Sequence, residues 1–224
     1  VGTVPAVTAD QMRAVDRVAE ERGLQLVQMM ENAGRSLAAV AIARFGPGRV
    51  RVLAGSGGNG GGGLVAARHL LGRGVAVDVS MTRAPGELTG VTAHQWSLLA
   101  ARGVTPTEPG PADLVVDAVI GYALSGPPTG RAADLIAWAG SSGAPVLCLD
   151  TPSGVDVTTG EAHAPAVTAT ATLTLALPKT GLVGSPSVGE HHLADLSIGG
   201  DVYERVGVAV PADLFAAGQV LRLT

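Results

Sequence analysis

Residues 55–63 read Gly-Ser-Gly-Gly-Asn-Gly-Gly-Gly-Gly, with only Ser56 and Asn59 carrying side chains. The run follows the apolar segment 49–54 and precedes a helix-like stretch at 61–72. Backbone N–H groups at a helix start attract an anion, and bare glycines let a phosphate come close. Two other readings compete. Gly55-x-Gly57-x-x-Gly60 matches the dinucleotide fingerprint, but the acid expected about 20 residues later would be Asp78, which lies inside a strand-like run. A plain turn before a helix is the third reading, an entropically costly use of so much glycine. A P-loop is excluded, because no Gly-Lys-Ser/Thr follows.

Four further positions carry polar groups where apolar runs end. Asn59 suits either a cation or substrate contact through its amide, or a helix cap. Asp117 follows Val115-Val116, and a carboxylate ending a buried strand needs a cation, backbone donors or a capping role. Asp150 ends the run Val146-Leu147-Cys148-Leu149 and is fixed by the turn Thr151-Pro152-Ser153-Gly154. A carboxylate there suits proton transfer or a grip on sugar hydroxyls. Lys179 stands between Pro178 and Thr180-Gly181, where it would pair with phosphate or a rim aspartate, or lie in solvent. Glu31-Asn32 interrupts an otherwise apolar stripe and would face the glycine run or cap nearby backbone. Cys148 reads as a small buried hydrophobe, and Asp156 as a loop acid.

The elements that must position these groups follow from periodicity. Thr8 with Gln11 forms a capping box ahead of Met12, Val15, Val18 and Ala19 at helical spacing. A second helix is predicted over 25–44. Short apolar runs at 49–54, 75–80, 114–119, 145–149 and 171–177 read as strands, with helix-like stretches at 61–72, 88–101 and 129–139 between them. The segment 191–198 extends the sheet or forms an edge, and 180–189 is a loop. This βαβ series predicts an α/β fold, a mostly parallel sheet with helices on both faces, in one domain spanning 1–224. Open sheets of this kind bind ligands beyond the carboxyl ends of their strands, where the four segments converge.

Composition narrows the function. The 224 residues carry 15 basic and 19 acidic side chains, a net charge of -4, which offers no general attraction to nucleic acid or anionic membrane. Aromatic content of 3% leaves few stacking platforms. The single cysteine cannot form an internal disulfide, and the five histidines show no zinc spacing with it. No apolar stretch reaches ~18 residues and no signal-peptide pattern opens the chain, so a cytoplasmic protein is expected.

Several motifs in order carry a resemblance: Met30-Glu31-Asn32-Ala33-Gly34, the glycine run leading into Leu64-Val65-Ala66-Ala67-Arg68-His69-Leu70, Val116-Asp117-Ala118-Val119-Ile120-Gly121, Asp150-Thr151-Pro152-Ser153-Gly154-Val155-Asp156, Thr159-Gly160 and Pro178-Lys179-Thr180-Gly181. Together they resemble the YjeF N-terminal domain family of NAD(P)H-hydrate epimerases over nearly the whole chain. The resemblance implies a Rossmann-like three-layer α/β/α sandwich with N-terminal helices, a homodimer, and interconversion of the R and S forms of hydrated NADH and NADPH. This dinucleotide is the substrate and not a cofactor, and the product feeds an NAD(P)H-hydrate dehydratase. The same resemblance implies substrate binding by Gly57, Gly58, Asn59, Gly60, Gly61 and Gly62, and by Gly121, Tyr122, Ala123, Leu124, Ser125, Gly126 and Pro127. It implies one potassium ion held by Asn59, Asp117 and Ser153, and makes Asp150, which also contacts substrate, and Lys179 the catalytic candidates. Two positions depart from the family loop Gly-x-Gly-Asn-Asn-Gly-Gly-Asp-Gly: Gly58 replaces its first Asn and Gly62 its Asp. The departures admit a second reading, a nucleotide-binding or scaffold relative with weakened or no turnover. A conventional dehydrogenase is a third.

Overall fold

The computed structural model describes residues 4–223. Thr8 starts α1 (Ala9–Glu21) with the reciprocal cap its spacing predicts: its hydroxyl accepts the Gln11 amide at 3.2 Å, and the Gln11 side chain accepts the Thr8 amide at 2.9 Å. Met12, Val15, Val18 and Ala19 form its buried face. α2 (Leu26–Phe45) ends where Gly46 takes the left-handed conformation (φ 53°), a C-terminal stop that favours glycine.

Strands and helices then alternate: β1 (Arg49–Ala54), α3 (Gly58–Leu71), β2 (Ala76–Met81), α4 (Gly90–Ala100), β3 (Leu114–Ala118), α5 (Gly130–Ser141) and β4 (Val146–Leu149). β5 (Ala171–Leu175), β6 (Glu190–Ala194), α6 (Gly200–Arg205) and β7 (Val220–Arg222) complete the chain. Among the described residues, seven strands join one sheet in the order β2-β1-β3-β4-β5-β6-β7. Every neighbouring pair is parallel except β6 with β7. The larger core lies between one face of the sheet and the buried sides of α1 to α4 and α6, and the smaller lies between the opposite face and α5. This is the three-layer α/β/α arrangement that the alternation predicts. β7 has no counterpart among the predicted strands, since its three residues are only half-buried or exposed and carry no periodic signal.

The glycine run departs from its predicted form. A loop up to residue 61 is expected, but the helix begins at Gly58 with Gly57 as its N-cap. Packing explains why a helix of poor intrinsic propensity forms. A Cβ at Gly60 would lie 1.8 Å from the Gly55 carbonyl oxygen, and one at Gly63 would lie 2.5 Å from the Ala118 Cβ. The start of α3 therefore lies against the ends of β1 and β3 at a distance that only bare backbone permits. The penalty for glycine in a helix, about 1 kcal/mol per residue, is offset by that close contact.

Replacing Gly60 with alanine should lower unfolding stability by at least about 2 kcal/mol, because the obstructing atom is backbone and cannot swing aside. Gly58→Ala, which meets nothing within 4 Å, should leave stability unchanged or raise it by up to about 1 kcal/mol. Urea unfolding of both variants checks the contrast.

Candidate active site

The strand order reverses at β1: the chain passes to β2 on one side and returns to β3 on the other. The crevice beyond the carboxyl ends of β1 and β3 is the ligand position such sheets favour. A cleft of about 320 Å³ lies there, lined by Gly57, Gly58, Asn59 and Gly62 of the glycine segment, residues 119–123 after β3, Leu149 and Asp150 after β4, and Leu175 and Lys179 beyond β5. Met12 and Asp16 of α1 and Met29, Met30 and Ala33 of α2 close it from the helical side. Its polar groups are few and its walls mostly apolar, the usual make-up of a small-molecule site.

Asp150 and Lys179 meet in a buried ion pair, the carboxylate Oδ1 accepting from Nζ. The reading of Lys179 as solvated is overturned: this side chain is fully buried. It also donates to the Leu175 carbonyl at 2.9 Å and to Thr174 Oγ1 at 3.4 Å, so all three ammonium hydrogens are used. Asp150 has φ 68°, and the Thr151 amide donates to the Leu149 carbonyl across it at 2.9 Å, forming a strained γ-turn. A second γ-turn at Ala176 (φ 62°) ends β5, with the Leu177 amide on the Leu175 carbonyl at 2.7 Å. The apolar run to residue 177 therefore stops short as a strand. Each such residue costs of order 1–3 kcal/mol, and the yield is positional. The Asp150 amide still donates to the Leu173 carbonyl at 2.7 Å, but the Leu175 amide donates to Asp150 Oδ1 at 3.2 Å, where the main-chain carbonyl would stand in a regular ladder. Oδ2 has no protein partner among the described residues.

Asp117 is fully buried behind the cleft. It accepts the Ser153 amide at 2.8 Å, the Ser153 hydroxyl at 2.6 Å, the Val119 amide at 3.2 Å and the Cys148 thiol at 3.4 Å. Burial pushes its carboxyl above the usual range, and the Ser153 and Val119 donors pull it back. No cationic side chain among the described residues pairs with it. Cys148 is buried as expected, with its thiol pushed well up by burial. Asn59 lies in the first turn of α3 and does not cap it; α3 has no side-chain cap, so its first-turn amides stay open to a ligand. The Asn59 Nδ2 is buried without a partner among the described residues.

Of the glycines expected to bind substrate, Gly57, Gly58 and Gly62 reach the cleft, while Gly60 packs on Gly55 and Gly61 on Met30. Of residues 121–127, Gly121, Tyr122 and Ala123 line it; Leu124, Ser125, Gly126 and Pro127 continue the loop beyond. Asp78 pairs with Arg49 and Arg51, which removes it from any ribose role. Glu31 pairs with Arg68 and His69 further along α3, and Asn32 donates to the Leu196 carbonyl at 3.3 Å, so neither faces the glycine segment. Asp156 accepts the Thr158 and Thr159 amides, the loop role expected of it.

The sequence profile of the YjeF-related protein N-terminus matches residues 26–181. This chain belongs to that family. An NAD(P)H-hydrate epimerase of Dehalogenimonas lykanthroporepellens is 46% identical over 99% of this chain and 94% of its own length. A bifunctional NAD(P)H-hydrate repair enzyme Nnr of Hyperthermus butylicus is 39% identical over 92% of this chain, which spans 42% of that longer protein. The crystal structure of yeast ynu0 superposes with a TM-score of 0.85 at 23% identity, over 98% of this chain and 100% of that one.

In this YjeF-related chain, residue-level reasoning passed over Asp16. Its carboxylate accepts the Tyr122 hydroxyl, and burial holds it above the usual carboxylate range. The signal was faint: Asp16 is one of four acids in α1, set four residues after Met12 and directly after Val15 of the apolar stripe. Met29 and Met30 of α2 are buried side chains that also line the cleft.

Lys179→Met should cost roughly 3–5 kcal/mol of stability, because it leaves the Asp150 carboxylate buried and unpaired. Adding Asp150→Asn should restore part of that loss. Urea midpoints of the two variants and the wild type measure both.

Proposed function

We propose that this chain interconverts the R and S epimers of hydrated NADH and NADPH at C6 of the nicotinamide ring. The observation that carries the reading is the Asp150 carboxylate: Lys179 and the Leu175 amide hold one of its oxygens and the other is left to the cleft. The names of near full-length relatives, NAD(P)H-hydrate epimerase from four organisms, support it. The open amides at the start of α3 suit the substrate's phosphates, and the apolar walls around Met29, Met30 and Leu149 suit the reduced ring. Asp150 moves a proton at the C6 hydroxyl, directly or through water, and Lys179 positions it. Net redox change is not required.

The two departures from the family loop are compatible with turnover. A Cβ at Gly62 would lie 2.7 Å from Leu149 Cδ2, so Leu149 fills space that a side chain at 62 would claim. At Gly58 nothing lies within 4 Å, so its bareness widens the cleft mouth.

We further propose that potassium binds beside α3, held by Asn59, Asp117 and Ser153. All the side-chain donors are oxygens, as a hard monovalent cation requires. A fully buried carboxylate without a cationic partner among the described residues is the feature a cation would relieve. When bound, the ion supplies fixed positive charge that neutralises Asp117. Relatives named bifunctional NAD(P)H-hydrate repair enzymes join a second activity to a region like this chain, which supports functional coupling of the epimerase to a dehydratase that consumes the S product.

Asp150→Asn should slow epimerisation by about 10²-fold or more, read by coupling the R epimer to an S-specific dehydratase; an unchanged rate removes Asp150 from the chemistry. Potassium chloride should raise the melting temperature above that in tetramethylammonium chloride of equal ionic strength. Asn59→Ala should erase that difference.

A further inference from the structure

Epimerisation at C6 sets a stereochemical demand that Asp150 alone does not meet. If the hydroxyl leaves and returns on the same side of the ring, configuration is retained. Inversion needs one group to assist departure and another to activate water on the opposite side, so two proton-transfer groups must approach from different walls of the cleft. Among the described residues, Asp16 and Asp150 are the two carboxylates on its lining.

They come from separate elements. Asp150 projects from the carboxyl end of β4, and Asp16 from α1, whose Met12 and Asp16 line the cleft. The fold anchors α1 to the rim: the Val7 amide donates to the Pro178 carbonyl at 2.8 Å, and the Thr180 amide donates to the Val7 carbonyl at 3.0 Å, on either side of Lys179. Thr8 then caps the helix, so its start is tied to the residue that holds Asp150. Tyr122 donates its hydroxyl to Asp16 Oδ2, which fixes the carboxyl and leaves Oδ1 without a protein partner among the described residues. Such an anchored acid with one oxygen open to a cleft has the form of a proton-transfer group.

We infer that Asp16, oriented by Tyr122, is a second catalytic residue of the epimerase reaction and exchanges a proton with the C6 hydroxyl on the ring face opposite Asp150. This rests on the proposed epimerase function. In one direction neutral Asp16 gives its proton to the hydroxyl oxygen, the C6–O bond breaks, the N1 lone pair closes a C6=N1 double bond, and water leaves. A second water attacks C6 from the Asp150 side, the π pair returns to N1, and Asp150 takes the proton released. One water departs, one enters, and one proton passes from Asp16 to Asp150; exchange with solvent resets both. In the reverse direction the roles exchange.

The charge environment suits this division of labour. Burial favours the neutral form of Asp16, as do the nearby charges of Asp150 and Glu20, while the Tyr122 hydrogen bond and the Lys179 ammonium favour the anion. Arg13 lies over the Tyr122 ring with its guanidinium carbon 5.9 Å from the centroid, and Tyr203 of α6 also faces Asp16. Asp150, by contrast, is in direct contact with an ammonium. Paired acids whose surroundings differ in this sense are the pattern of acid–base assignment.

The test uses the intact chain with purified R and S epimers. Asp16→Asn should lower kcat by about 10²-fold or more in both directions, with KM changed less than about threefold. Tyr122→Phe removes the donor that favours the anion, so the pH–rate limb that belongs to Asp16 should move to higher pH in both directions, and Asp16→Asn should abolish that limb. In ¹⁸O water, the wild type should place label at C6 at the rate of epimerisation, and in D₂O it should place no deuterium there. Asp16→Asn at the wild-type rate, a Tyr122→Phe limb that stays in place, or deuterium at C6 would each overturn the inference. Should Asp16→Asn fail to fold, the Tyr122→Phe limb and the isotope result decide. A wild type that does not accelerate epimerisation would instead remove the function on which the inference rests.

Discussion

A lysine ammonium and an aspartate carboxylate held out of water at the end of the sheet are the constraint around which this protein is arranged. Desolvating two charges costs several kcal/mol per ion, and the cost is recovered only when attraction and hydrogen bonds are both well made. Here they are. Lys179 spends all three hydrogens on Asp150, the Leu175 carbonyl and Thr174, and Asp150 Oδ1 takes the Leu175 amide besides. The backbone reversals at Asp150 and Ala176 are the local strain accepted to reach that geometry. Strain of this kind persists only where the surroundings over-determine it. The parallel β4–β5 ladder, the Asp150 amide bond to Leu173 and the Val7 bridge beside Lys179 supply that restraint.

Bare backbone is the second determinant. The glycines of α3 let the helix start settle against Gly55 and Ala118, which places its uncapped amides at the cleft edge. A helix of ordinary composition would stand further off and move Asn59 away from Gly121, whose Cβ position lies 3.3 Å from Asn59 Cγ. The same feature that reads as a phosphate cradle is thus first a packing device. The two roles are compatible, because only Gly57, Gly58 and Gly62 face the cleft while Gly60, Gly61 and Gly63 face protein.

Much of this was legible in the residues. The alternation of apolar runs with helical stretches gave the parallel sheet, and residue types at run ends located Asn59, Asp150 and Lys179, which line the cleft, and Asp117, which is buried behind it. What escaped has a common cause: it depends on partners distant in sequence. A lysine between a proline and a threonine carries no mark of burial, yet Lys179 is enclosed, with the Val7 backbone bridged beside it and the Asp150 turn paired to its ammonium. The helix start at Gly58 defied propensity, because contacts with Gly55 and Ala118 outweigh it. Asp16 sat beside a core stripe, and its meaning came only with Tyr122, 106 positions later. β7 was invisible because a strand of three residues acquires its order from pairing with β6.

The central claim is that this rim of the sheet performs epimer exchange on a hydrated nicotinamide ring. Its most direct measurement is the time course of pure (6R)-hydrated NADH with the wild-type chain, resolved chromatographically into R and S forms. The account predicts approach to the R/S equilibrium mixture far faster than in buffer, at a rate proportional to protein concentration. A time course that overlays the buffer control would contradict it.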